Sequence, residues 1–249
     1  MSVNNKDTRI DIYNSTEGTL NEKDGYNCDK CKNKGYIAVS DDNGYMATKE
    51  CECQKIRSTL KRAKRSGLGK IITNCTFDKF KTPENWQLEI KDKAIDFCNN
   101  DNAKCFFIGG QVGCGKTHIC TAIAGHYMKA GAEVKYMLWC DESKYLKSIA
   151  NDNSYKDEIE KYKTVPVLYI DDFFKVQAGT TPSEADIKLA FEIINSRIID
   201  NDKITIISSE KILDEIIDYD EATMSRIYQM AGKYKLAIAK DRNKNYRLK

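Results

Sequence analysis

Gly110, Gln111, Val112, Gly113, Cys114, Gly115, Lys116 and Thr117 stand in the spacing G-x-x-x-x-G-K-[ST], with every fixed position filled. The glycines permit a tight backbone whose N–H groups converge on phosphate oxygens. Lys116 supplies a cation for the β and γ oxygens, and the Thr117 hydroxyl can hold Mg²⁺. This chemistry predicts a nucleoside triphosphate, with ATP and ADP as the exchanging pair. His118, the next residue, joins the candidate nucleotide contacts. Further along, the apolar run Val165-Pro-Val-Leu-Tyr-Ile ends in paired acids, Asp171 and Asp172. In a phosphate-loop domain the first such acid is expected to hold Mg²⁺ through water and the second to orient or deprotonate the attacking water. Lys116 and Asp172 are thus the first catalytic candidates.

A second set of reactive groups lies near the start. Cys28, Cys31, Cys51 and Cys53 follow C-x₂-C-x₁₉-C-x-C, which can give four thiolates to one tetrahedral Zn²⁺ in a closed structural site. The C-x-C half is less usual than C-x-x-C, so a three-ligand site, redox-sensitive thiols and a disulfide stay open. The other six cysteines, Cys75, Cys98, Cys105, Cys114, Cys120 and Cys140, sit among apolar or helical neighbours and read as small hydrophobes. Cys114 is singled out by its place beside Lys116 at a helix start, which predicts a thiolate.

These groups need elements to position them. Lys104 to Ile108 reads as a strand entering the glycine loop, and His118 to Lys129 as a helix leaving it. Strands are expected at 104–108, 134–139, 165–170 and 203–208, with helices at 88–99, 117–130, 142–150 and 184–200 between them. That alternation predicts an α/β domain of three layers, a parallel sheet covered by helices. Residues 1–25 are polar and are expected to be disordered. Residues 26–54, with turn chemistry at Asp42-Asn43-Gly44, predict a small hairpin domain stapled by zinc, one ion per chain, because so short a segment buries little core. Residues 55–74 read as a basic helix and linker, and 75–249 as the nucleotide-binding domain. Trp86 and Tyr136 are candidates for an adenine pocket or for plain core.

The chain has 249 residues, 41% of them hydrophobic, and a net charge of +3. No apolar run approaches the ~18 residues of a membrane helix, and Met1 to Ile10 lacks a signal core. A cytoplasmic protein without a membrane partner, its ten cysteines reduced, is the expectation. Cations cluster in two stretches. Lys55, Arg57, Lys61, Arg62, Lys64, Arg65 and Lys70 fall in 54–70 with no anion, and seven more fall in 233–249 with Asp241 as the one anion. Either can face nucleic-acid phosphates or be a solvated face.

A third apolar run, Ile204-Thr-Ile-Ile, ends in Ser208, Ser209 and Glu210, and Glu221-Ala-Thr-Met-Ser is followed by Arg226. The order of phosphate loop, acid pair, polar strand end and arginine resembles the AAA+ ATPases. The resemblance implies that Ser208 or Ser209 senses the γ-phosphate. It also implies that Arg226 reaches a neighbouring subunit's ATP, so that the chain self-associates through the ATP site. Cys28-x-x-Cys31, Lys34-Gly-Tyr36, Cys51-Glu-Cys53-Gln54, Thr76-Phe-Asp-x-Phe80, Leu168-Tyr-Ile-Asp-Asp-Phe-Phe-Lys175 and Phe191-Glu-Ile-Ile-Asn-Ser-Arg197 narrow it further. Together they resemble the DnaC/DnaI-type replicative helicase loaders, IstB-like ATP-binding proteins, especially phage or mobile-element versions.

That family implies ATP-dependent loading of a hexameric replicative helicase onto single-stranded DNA. The N-terminal domain would bind helicase, the AAA+ domain would bind DNA, and ATP turnover would be slow and DNA-stimulated. Two departures stand out. Many relatives carry Thr-Ser-Asn where this chain has Ser208-Ser209-Glu210. Only 23 residues follow Arg226, too few for a helical lid, so no C-terminal lid is expected. Arg247, in the family's terminal Tyr-Arg, would take over the lid's phosphate-sensing role. An IstB-type transposition helper and a nucleotide-switched adaptor with little turnover are the competing functions.

Overall fold

The computed structural model describes residues 5–69, 71–176, 180–200, 202–218 and 220–248. Lys70 and Lys249 of the two basic stretches lie outside the described residues. The chain divides into two compact units, Met1–Arg62 and Ala63–Lys249.

The first unit opens with helix α1 (Asn5–Ser15) and the short α2 (Leu20–Asp24). Strands β1 (Tyr36–Ser40) and β2 (Met46–Glu50) form an antiparallel hairpin in which Tyr36 faces Glu50 and Ser40 faces Met46. Asp41 sets the turn by accepting the N–H groups of Asn43 and Tyr45. Helix α3 (Cys53–Ser66) begins at the last cysteine of the quartet. The start of the chain, expected to be disordered, is therefore helical over much of its length. The cause is a tertiary contact: the Asn14 amide donates to the Ala38 carbonyl at 3.0 Å and accepts the Ala38 N–H at 2.9 Å. It thereby satisfies backbone groups on an edge of β1. Composition alone carries no trace of such a pairing.

The second unit continues with α4 (Ile71–Asn74), α5 (Asn85–Cys98), β3 (Cys105–Gly110), α6 (Lys116–Lys129) and β4 (Val134–Leu138). Next come α7 (Trp139–Ser148), α8 (Tyr155–Lys163), β5 (Val167–Asp171), α9 (Glu184–Ile199) and β6 (Ile204–Ser209). Helices α10 (Leu213–Ile217) and α11 (Glu221–Ala231) precede the last strand, β7 (Lys235–Ile238). The five strands β3 to β7 form one parallel sheet in the order β4-β5-β6-β3-β7. Phe106, Ile108 and Tyr169 pack on one face with α5 and α6 residues such as Phe97, Ile119 and Ile123. Phe107, Ile170 and Ile207 pack on the other with Trp139, Ile193 and Ile227. Strands β3 and β5 are buried on both faces, which is why they read as unbroken apolar runs. The three-layer parallel fold matches the expectation. Helices α8, α10 and α11 and strand β7 are among the additions: α8 has too short an apolar stripe to stand out, α10 is five residues long, and β7 is a four-residue edge strand.

Arg197 joins the layers from inside. It is 1% exposed, and it donates to Thr205 Oγ1 and to the carbonyls of Tyr162, Val165 and Ile204. Among the described residues, β7 and three short 3₁₀ turns follow α11 without a helical lid. No helix among them is long and apolar enough to cross a membrane.

Candidate nucleotide site and cysteine cluster

Strand β3 delivers the chain into the glycine loop at the carboxyl end of the sheet. Gly110 has φ of +106°, and a Cβ there would lie 2.0 Å from the Ile238 carbonyl oxygen. At Gly113, with φ of +72°, a Cβ would lie 2.0 Å from Asn245 Oδ1. The loop is thus pressed against the segment after β7. Tyr246 N–H donates to the Gly113 carbonyl at 3.0 Å, and Asp241 N–H to Gln111 Oε1 at 2.8 Å. The Lys116 ammonium is buried and donates to the carbonyls of Gly110 and Gln111 at 2.9 and 2.6 Å. Cys114 corrects the thiolate expectation. Burial pushes its thiol up despite the pull of Lys116, and Sγ–H donates to the Gln111 carbonyl at 2.9 Å.

The parallel register sets Ile108 of β3 opposite Ser208 of β6, and Ile170 of β5 opposite Ile207. Asp171 and Ser208 therefore arrive together beside the loop. The Asp171 carboxylate, 4% exposed, accepts from Thr117 Oγ1 at 3.3 Å, from the Tyr136 hydroxyl at 3.0 Å and from the Ser208 hydroxyl. Tyr136 is thus a donor to the first acid rather than an adenine wall. Burial and the adjacent Asp171 charge hold its phenol well above the ordinary range. Trp86 instead donates its indole N–H to Glu84 and sits 6.3 Å from the Tyr246 ring. Ser209 turns away from the loop, donating its hydroxyl to the Phe173 carbonyl at 2.8 Å.

Asp172 has φ of +55°, a left-handed conformation that costs a non-glycine residue free energy and is enriched at functional sites. Its N–H donates to Ser208 Oγ at 3.2 Å, and its carboxylate pairs with Lys175 at 2.8 Å. Lys175 also pairs with Glu210 at 2.8 Å. Burial works against the Lys175 charge, but these two carboxylates outweigh it and hold the ammonium pKa above its usual value. A cavity of about 220 Å³ opens between these groups, lined by Val112, Gly113, Gly115, Lys116, Thr117, His118, Asp172, Lys175, Glu210 and Arg247. The His118 ring packs edge-on to Phe80, and Nε2 is 2.9 Å from the Thr76 carbonyl. Arg226 does not line this cavity. It donates to Asn195 Oδ1 and the Ala222 carbonyl, 4.6 Å over the Phe191 ring. The cavity's own donors suit a magnesium-bound triphosphate: a buried ammonium, a hydroxyl beside a carboxylate, and a loop into which no side chain at Gly113 would fit.

In the first unit the four sulfurs of Cys28, Cys31, Cys51 and Cys53 all lie within 4.8 Å of one another. The Cys28–Cys51 and Cys31–Cys53 separations, 3.8 and 3.5 Å, are far outside a disulfide bond. They approach the ~3.8 Å between ligands on a tetrahedron with Zn–S bonds of about 2.3 Å. Both cysteines of the C-x-C half belong to the cluster, so the donor set is four thiols and not three. Burial opposes ionisation at Cys31, Cys51 and Cys53. At Cys31 the Gly35 N–H, 3.2 Å from Sγ, and the neighbouring thiols overcome it and bring the pKa down to about 7. At Cys53 burial prevails, pushing the thiol up to about 12.

Comparison with known proteins agrees with this geometry. The family described as IstB-like ATP binding protein matches residues 38–226. The chain belongs to that family. This IstB-like protein is 30% identical to protein YqaM of Bacillus subtilis strain 168 over 216 residues, 81% of this chain and 67% of YqaM. It is 28% identical to the phage-like element PBSX protein XkdC of the same strain over 228 residues, 86% of this chain and 82% of XkdC. Among solved structures, the DnaC helicase loader superposes with a TM-score of 0.59 at 21% identity, over 70% of this chain and 100% of that one. AMPPCP-bound DnaA from Aquifex aeolicus superposes with a TM-score of 0.55 at 20% identity, over 69% of this chain. The chain spans about half of that DnaA chain, 52% of its length. These likenesses show the AAA+ P-loop fold. For the IstB-like chain, sequence reasoning missed Lys175 and Glu210 as site groups and missed the role of Tyr136 as a donor to Asp171. Lys175 carried a local signal, three residues after Asp172; the other two reach the site only through strand register and loop packing.

Proposed function

We propose that this IstB-like protein is an ATPase that loads a hexameric replicative helicase onto single-stranded DNA. The observation that carries the reading is the Asp171 carboxylate, which gathers Thr117 and Ser208 beside the buried Lys116 in a chain of this family. In this reading residues 110–118 cradle ATP, and Lys116 exchanges loop carbonyls for phosphate oxygens. Thr117 and Asp171 hold Mg²⁺, which when bound neutralises charge on the phosphates. Ser208, not Ser209, aligns Asp171. Asp172 orients the attacking water once its carboxylate leaves Lys175. Arg247, at the cavity rim, meets the γ-phosphate, and Arg226, bound elsewhere on its own chain, serves a neighbouring subunit's ATP.

Cys28, Cys31, Cys51 and Cys53 hold one structural Zn²⁺ that shapes the helicase-binding unit. That unit favours a loader over the transposition helper, and the intact acid pair favours turnover over a passive adaptor. Single-stranded DNA would meet Lys55, Lys61, Lys64 and Arg65, which are exposed on α3. Arg57 is withdrawn from that set because it is buried and paired with Asp24. Of the second basic stretch, Lys233 and Lys240 are paired with Asp96 and Glu215, while Arg242 stays exposed. The test is ATP hydrolysis with and without single-stranded DNA and a matching hexameric helicase, in wild type, Lys116→Ala and Arg226→Ala. Stimulated turnover lost in both variants supports an oligomeric loader. Turnover that survives Arg226→Ala sinks the trans role, and ATP binding without stimulated turnover sinks the loader reading.

A further inference from the structure

The buried guanidinium of Arg57 lies beside the cysteine cluster and has one nitrogen left without a partner. Its side chain is 6% exposed, and Nη1 donates to both oxygens of Asp24 at 2.6 and 2.5 Å. Nη2 reaches Asn33 Oδ1 at 3.3 Å, and the guanidinium stands 5.4 Å over the Tyr26 ring. Its Nε–H is buried with no hydrogen-bond partner. A buried N–H without an acceptor is destabilising, so an orphan here calls for an explanation. Arg57 follows Cys53 by one turn of α3, and residues four apart share a helix face. The Cys53 sulfur, on that face and within the buried cluster, is the candidate acceptor. A neutral thiol accepts weakly; a metal-bound thiolate is a far better acceptor for a charged donor.

We infer that Arg57 is an outer-shell partner of a four-thiolate zinc centre, donating its Nε–H to the Cys53 sulfur and offsetting the centre's negative charge. This rests on the zinc reading above. Four thiolates around Zn²⁺ carry a net charge of about −2, which the low-dielectric interior of a small unit tolerates poorly without a nearby cation. Arg57 is that cation. Its other contacts hold it in place: Asp24 fixes the fork of the guanidinium, and Asn33 links it to the opposite half of the cluster by accepting the Cys28 N–H at 2.8 Å. The Gly35 N–H on Cys31 is a second donor to sulfur. Ligand orientation and charge are thus set from the outer shell, the usual way in which proteins tune a bound metal.

The test uses the full chain and Co²⁺ as a spectroscopic stand-in for Zn²⁺, with affinities measured by competition against a chromophoric chelator. Wild type should bind about one Co²⁺ with a thiolate-to-metal charge-transfer band. Arg57→Met should keep that band, because the ligands are unchanged, and lose roughly 10- to 100-fold in affinity, the range for outer-shell partners. Asp24→Asn removes the same ion pair but leaves the guanidinium, and should lose less than about 3-fold. Wild-type affinity in Arg57→Met, or equal losses in both variants, would overturn the inference and leave zinc binding intact. Should Arg57→Met not fold, Arg57→Lys keeps the charge, drops Nε–H and carries the same comparison with Asp24→Asn. A wild-type chain that binds no metal through its thiols would instead refute the zinc reading itself, and this inference with it.

Discussion

Replacing Arg197 with methionine tests whether an interior cation holds the sheet that carries the site. The wild-type side chain donates at 2.9 Å to Thr205 Oγ1 and at 3.0, 2.9 and 2.7 Å to the carbonyls of Tyr162, Val165 and Ile204. Four bonds from a charged donor, at about 1.5–2 kcal/mol each, sum to roughly 6–8 kcal/mol. Burial opposes them. It lowers the Arg197 pKa from 12.5 to about 10, a penalty on the charge of about 3–4 kcal/mol at ~1.4 kcal/mol per unit. Methionine fills similar space and escapes that penalty, so Arg197→Met should cost about 3–4 kcal/mol net. For a chain of this size that is a fall in Tm of about 10 °C. Because the folded pKa lies below the unfolded one, the unfolded chain binds the extra proton, and wild-type stability rises with pH only above about 10. Below about pH 9 both states are protonated, so the loss should be the same throughout the neutral range. Urea unfolding at two neutral pH values measures it, and a loss under about 1 kcal/mol would refute the accounting. Since β5 and β6 begin where Arg197 binds and end at Asp171 and Ser208, nucleotide affinity should fall as the unit loosens.

Tyr136→Phe should weaken nucleotide binding about 3- to 10-fold in Mg²⁺ and leave it unchanged in chelator, since it removes one hydrogen bond to the carboxylate assigned to the metal. Titration calorimetry under the two conditions checks this, and equal losses in both would mean a packing role. Cys114 should react slowly with iodoacetamide near neutral pH and faster as pH rises above the usual thiol range, because burial keeps it protonated. Bound ATP should slow it further; mass spectrometry of the alkylated peptide reads both effects, and fast neutral-pH labelling would contradict the buried-thiol geometry.

Parts whose chemistry is contiguous along the chain were legible from residue types and spacing. The phosphate loop is eight neighbouring residues, so its glycines, Lys116 and Thr117 are set in place by local backbone alone, and the flanking β3 announces itself as an unbroken apolar run. The cysteine quartet was legible for a similar reason, since a short hairpin bridges its two pairs. Tertiary structure decided whatever depends on strand register or on a partner distant in the chain. Ser208 and Ser209 are indistinguishable in sequence, yet a strand's alternation sends one hydroxyl to Asp171 and the other to the Phe173 carbonyl. Tyr136 becomes a donor to Asp171 only because β4 pairs in parallel with β5. Arg57 looked like one more cation on a basic helix, but the hairpin unit folds over it and pairs it with Asp24. Side-chain identity and local spacing give the kind of chemistry; which copy of a residue performs it is fixed by the direction in which each side chain leaves its element and by what burial places opposite.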